Sequence, residues 1–313
     1  MRHPSGFRRI AMYAAPVAAA VMLSALPAAA QGLEGSFERT LHVTGAVDLN
    51  VEAGSGRIRV EPGPAGTVHV AARLRAGTSW FGGSDVEARI KKIEQNPPIE
   101  QQGNTIRIGR FADRELGRNI SISYEITVPA DTKLVARNGS GGIEVGALKG
   151  AVDASNGSGG IEVGGAARLD ARTGSGSIRA TGVAGPLSAH SGSGSIAVAQ
   201  AGPGEVSVSA GSGSVRVSGI DGPARVSTGS GSIDVEGRPA GPWSVNAASG
   251  SVRVTLPPDA AFDLDARSAS GSVSSTHPVT MTGSVERHRL AGQVRGGGPL
   301  VKVSTASGSI RIK

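Results

Sequence analysis

The sequence predicts an all-β protein: a single-stranded parallel β-helix, or β-solenoid, right-handed, with about 18 residues per coil and one short helix in an N-terminal cap. Three observations predict it. First, a Gly-Ser-Gly corner recurs at a nearly fixed interval. From Gly141 through Gly159, Gly176, Gly194, Gly213 and Gly231 to Gly250, the second glycines are 18, 17, 18, 19, 18 and 19 residues apart. Second, aliphatic residues alternate with polar ones on both sides of each corner. Ile143 and Val145, Ile196 and Val198, and Val215 and Val217 follow corners; Leu187 and Ala189, and Val206 and Val208, precede them. Period-two alternation is the mark of a strand with one buried face. Third, the corners are built from small residues, and aromatic content is only 3%, which suits a narrow core. Asn138, Asn156, Thr173, Ser191, Thr228 and Thr305 stand just before them.

One such unit cannot stand alone, because its few aliphatic side chains return less than the cost of ordering its backbone. Stacked units share a core and pair equivalent strands in parallel, about 4.8 Å apart. The crossover rule makes the winding right-handed. An antiparallel hairpin array is the competing reading; one fixed period with identical corner chemistry favours the solenoid.

In chain order, residues 1–30 read as a secretory signal. Arg2, Arg8 and Arg9 precede an apolar run, and Ala28-Ala29-Ala30 offers a small-x-small cleavage site before Gln31. Residues 31–130 read as an irregular β-rich cap. Strands are expected at 41–43, 47–51, 58–60, 68–74, 105–108 and 120–128, with Gly54-Ser55-Gly56 as an early corner. The single helix is expected over 84–95. Ser84 is its N-cap, Val86, Ile90 and Ile93 share one side, and Asn96-Pro97-Pro98 stops it. Residues 131–313 read as the regular array, continuous with the cap. Gly271 and Gly308 are 37 residues apart, about two periods, so residues 273–300 are expected to form a degenerate coil. Its core would be Val285, Leu290 and Val294, with a corner at Gly296-Gly297-Gly298. The last unit, 300–313, would then close the column with an open or covered edge.

The formal charge is +7, or +4 without the three signal arginines, and the basic residues are dispersed among acids. No stripe tracks a phosphate backbone, so nucleic acid is not an expected partner. There is no cysteine, and no run after the signal is apolar enough to span a bilayer. Export without disulfides fits a bacterial periplasmic or cell-surface protein.

Several stretches carry a family resemblance. They are Val47-Asp48-Leu49-Asn50-Val51-Glu52-Ala53-Gly54-Ser55-Gly56, Asn96-Pro97-Pro98-Ile99-Glu100, Gly103–Gly109, Ile126-Thr127-Val128-Pro129-Ala130 and the glycine-rich run before the terminal strand. With the recurring corners, they resemble the bacterial β-strand-repeat family of putative adhesins, a DUF4097-type domain of unknown function. The resemblance spans the chain after the signal and implies an exported, noncatalytic β-solenoid. Ala53, Ala248, Ala269 and Ala306 stand at corners where that family usually has glycine.

The residues offer little reactive chemistry. His42, His69, His190, His277 and His288 are far apart, with no metal-ligand spacing, and no cofactor is expected. The corners lack the aspartates of a calcium roll. Asp153 and Asp170 each sit six residues before a corner glycine, so stacking makes them neighbours, with Asp265 in the same register farther on. Such a pair could bind a cation or act as acid and base, unless Arg137 and Arg172 neutralise it. Trp80 and Phe81, between glycines, are candidates for a contact site or for packing beneath the helix. Trp243 falls in a core register. Three readings follow: a noncatalytic adhesin or envelope scaffold for an unknown protein or glycan; a carbohydrate-active enzyme using Asp153 and Asp170; and an envelope interaction partner or sensor that pairs through residues 300–313.

Overall fold

The computed structural model describes residues 33–77, 83–111, 113, 115–281 and 287–313. Two sheets of thirteen strands each enclose one hydrophobic core. Along the column each coil gives one strand to each sheet, and neighbouring coils pair in parallel. Ile161, Ile178, Ile196, Val215, Ile233 and Val252 are successive register partners, each 1% exposed. The opposite sheet has its own row, in which Leu169, Leu187, Val206, Ala224 and Trp243 are partners. Trp243 is buried above the small Ala224, and its indole Nε1–H donates to the Gly222 carbonyl at 2.9 Å. The outward partners are polar or small, such as Arg216 opposite Asp234.

The corner chemistry has a second cause besides size. Thr173 and Ser191 donate their hydroxyls to the Gly159 and Gly176 carbonyls of the coil beneath, at 3.0 and 2.8 Å. Thr228 does the same to Gly213 at 2.9 Å, and Thr305 to Gly250 at 3.0 Å. Asn138 donates to Gly56 at 2.8 Å, and Asn156 to Gly141. These buried side chains stitch each corner to its neighbour. Glycine is required at the accepting position. Gly231 has φ +138°, and a Cβ there would run into the carbonyl oxygen of Gly213. Ala210 and Ala247 are register partners of the ladder residues but carry no donor. Thr228→Ala is therefore expected to cost about 1–2 kcal/mol, and Ala210→Thr to add about 0.5–1 kcal/mol by reaching the Gly194 carbonyl. Urea denaturation of the two variants checks both signs.

The order of coils at the two ends differs from chain order. Asp48–Ser55 and Ile58–Gly63 form a coil that pairs directly with Lys133–Ser140 and Ile143–Ala147. Thr105–Ile108 and Ile120–Pro129, later in sequence, lie outside it. Thr67–Ala76 and Glu34–His42 extend that end antiparallel. The helix, Gly83–Gln95, buries Val86, Ile90 and Ile93. It packs on the edge strand Glu34–His42, where the Glu94 carboxylate accepts from the Ser36 amide at 2.8 Å. A helix was expected here, and it caps an otherwise open edge.

The other end corrects two expectations. Residues 273–300 do not form a degenerate coil. Phe262–Ser270 and Val273–Ser275 skip one level, and Arg289–Val294 runs antiparallel beside Phe262–Ser270 as the sheet edge. Val294 is buried, whereas Leu290 is only half-buried and Val285 lies outside the described residues. The chain then returns to fill the gap. Leu300–Ser307 inserts between Trp243–Ser249 and Phe262–Ser270, and Ile310–Ile312 between Val252–Thr255 and Val273–Ser275. Gly271 thus stacks on Gly308, and Gly308 on Gly250. The 37-residue interval is a departure and a return. The last coil is interior, so pairing with a partner through a free edge at 300–313 is ruled out.

Candidate functional site

Most corners need very few residues: Gly56 and Arg57 alone separate Asp48–Ser55 from Ile58–Gly63. The corner between Thr105–Ile108 and Ile120–Pro129 is much longer, a loop of eleven residues, 109–119. The helix holds this loop. Arg89 Nη1 donates to the Glu115 and Arg118 carbonyls at 2.9 and 2.7 Å, and Asp85 lies 3.1 Å from its Nε. Within the loop, the Asp113 carboxylate accepts from the Glu115 amide at 3.0 Å, and the Phe111 ring lies against Gly117.

The loop closes one end of a groove of about 1230 Å³ that runs along the corners. Gly54, Gly139, Gly157, Gly174 and Gly192 line its length. They are small for a structural reason, since a Cβ on Gly139 would strike the Gly54 carbonyl. Glu52, Arg137, Ser155, Arg172 and His190 are register partners along one side. Five coils span roughly 19 Å at about 4.8 Å per step. The loop end combines the apolar Phe111, Ile120, Ile122 and the Tyr124 ring with the charged Glu100 and Arg110.

Tyr124, Asn138 and Asn156, whose residues border the groove, each enclose a polar atom with no hydrogen-bond partner among the described residues (Tyr124 Oη, Asn138 Oδ1 and Asn156 Oδ1), as Gln200 does elsewhere in the column. The asparagines spend their N–H donors on the corner carbonyls, and their amide oxygens stay enclosed within the column. Burial pushes the Tyr124 hydroxyl pKa up, so it stays a donor at neutral pH. Arg110 and Arg137 share Glu52 at 3.7 and 3.8 Å, and Arg172 pairs with Asp170 at 2.7 Å. All three arginine side chains are more than half exposed, so these pairs are weak and the remaining guanidinium donors are available.

The structure places Asp153 directly opposite Asp170, on adjacent coils. Asp170 is tied to Arg172, while Arg137 turns to Glu52. Asp265 lies far along the column, opposite Lys302 and paired with Arg267 and Arg289. His190 faces outward between Arg172 and Ser209 and bonds the Ser209 hydroxyl at 2.7 Å. Trp80 and Phe81 lie outside the described residues. No cluster of three or more His, Asp or Glu side chains that could hold a metal occurs among the described residues. Within them, no helix is long and apolar enough to cross a membrane. Sequence reasoning missed the groove, although the length of 109–119 against two-residue corners was a readable signal.

Two thirteen-stranded sheets wound from parallel coils define a β-solenoid. The family model described as Toastrack DUF4097 matches residues 84–313, and the chain belongs to that family. Solved structures similar to it include a putative cell adhesion protein from Clostridium sporogenes, with 12% identity over 90% of this chain and 99% of that one and a TM-score of 0.23. A putative adhesin from Parabacteroides distasonis has 11% identity over 89% and 97% of the two chains, with a TM-score of 0.33. One from Bacteroides fragilis has 12% identity over 89% and 97%, with a TM-score of 0.27. No curated protein matches the chain.

Proposed function

We propose that this protein is an exported, noncatalytic β-solenoid that holds a partner at the cell envelope, as an adhesin or a scaffold, and that the groove beside loop 109–119 is its contact site. One observation carries the reading. The groove crosses five coils, ends against the long corner 109–119, and is flanked by the exposed guanidinium groups of Arg110, Arg137 and Arg172. The residues 1–30 pattern supports export to the periplasm or surface, and a mature chain beginning at Gln31 in a fractionated bacterial host is the expected result.

A second reading, a carbohydrate-active enzyme, draws support from the juxtaposed Asp153 and Asp170. Against it, the coils around Asp153 and Asp170 are joined by short corners and offer no loop to enclose a sugar over the pair. A glycan array run beside a polysaccharide-turnover assay separates the two. Retention without turnover, lost in Phe111→Ala, is expected. Turnover that disappears in Asp170→Asn would replace this reading with the enzyme.

A further inference from the structure

We infer that the groove takes an acidic oligosaccharide chain lying along the column axis; this rests on the groove being the contact site. Three features point to that ligand class. The groove is long and crosses successive coils, so its occupant is an extended chain. Arg137 and Arg172 stand two coils apart with Ser155 between them, roughly 10 Å, and present donors suited to carboxylates on alternate sugars. At the loop end, the Phe111 ring suits the C–H face of a sugar.

An acidic peptide is the chemical rival, and the fold argues against it. Extended peptides gain affinity by adding to a sheet edge. Most strands along this groove, such as Ala151–Ser158 and Arg168–Ser175, are paired on both sides, and the one free edge beside it, Ile99–Gln102, is four residues long at the loop end, so a main-chain ladder along the groove's length is not available.

Arg89 makes a positioning role testable. Its guanidinium holds the loop through two carbonyls, and the groove lining does not include it. Titration calorimetry on the purified chain would use three probes: a hexasaccharide alternating uronate and neutral sugars, a neutral gluco-hexasaccharide, and a hexaglutamate peptide. The uronate oligomer is expected to bind at least tenfold tighter than either of the others. Phe111→Ala and Arg172→Gln are each expected to weaken it at least tenfold. Arg89→Ala should weaken it with the thermal transition retained, and Arg89→Lys should restore part of the loss. Arg216→Gln, on the other sheet, is the unaffected control.

Equal binding of hexaglutamate would reduce the effect to charge attraction and overturn the inference, as would equal binding of the neutral sugar. Uronate binding indifferent to Phe111 and Arg172 would overturn the groove itself. Failure of all three probes, with envelope material still captured in a Phe111-dependent way, would overturn the ligand class and leave the contact site standing.

Discussion

Ile196→Asp is expected to unfold the column, while Ala197→Asp, one residue away, leaves it intact or slightly more stable. Ile196 is 1% exposed and is held between Ile178 and Val215 in the interior row. A carboxylate there would lose a buried side chain worth about 1.5–3 kcal/mol and add the desolvation of an unpaired charge of several kcal/mol. The sum is comparable to the whole stability of a typical domain, about 5–15 kcal/mol. Ala197 points the other way, and its register partners are Arg179 and Arg216. An aspartate between two arginines gains roughly 0.2–1 kcal/mol as a cross-strand pair. Circular dichroism melts of both variants decide the matter. Similar losses in the two would mean that the faces are misassigned.

That contrast was legible in the sequence because strand alternation reports which face is buried, and nothing competes with it in the array. The small residues before the corners were legible as small. Their bonds to glycine carbonyls were not, because Thr173 or Ser191 reads equally well as a packing choice. Coil order was hidden for a related reason. The corners at Gly250, Gly271 and Gly308 have interchangeable chemistry, so each fits against either of the others. Local pattern fixes register within a coil; it does not say which coil lies next. The groove was hidden because it belongs to no single motif. Glu52, Arg137, Ser155, Arg172 and His190 are spread over more than a hundred residues of sequence and meet only through stacking. Arg89 reaches loop 109–119 from the helix, and no spacing rule links the two.

Ending the chain at residue 299 is the second change expected to have a large effect. Were 300–313 an outer coil, its loss would fray one edge and lower the melting temperature by a few degrees. Instead both of its strands are paired on both sides. Val301, Val303, Ile310 and Ile312 are at most 1% exposed, and Thr305 bonds the Gly250 carbonyl at 3.0 Å. The four side chains alone represent about 6–12 kcal/mol of burial. Their removal also opens a slot one coil deep between Trp243–Ser249 and Phe262–Ser270, and exposes apolar rows on both sides of it. Phe262–Ser270, Val273–Ser275 and Arg289–Val294 would then have lost the coil that joins them to the column. A fall of at least about 10 °C, or loss of the cooperative transition, is expected in calorimetry. Deleting the nine-residue edge strand Glu34–His42 should do less, since it pairs with one strand only, supports only the short helix on its outer side and buries one large side chain, Phe37. A truncated chain that melts within a few degrees of the full one would put 300–313 back at the rim, and the insertion would be wrong.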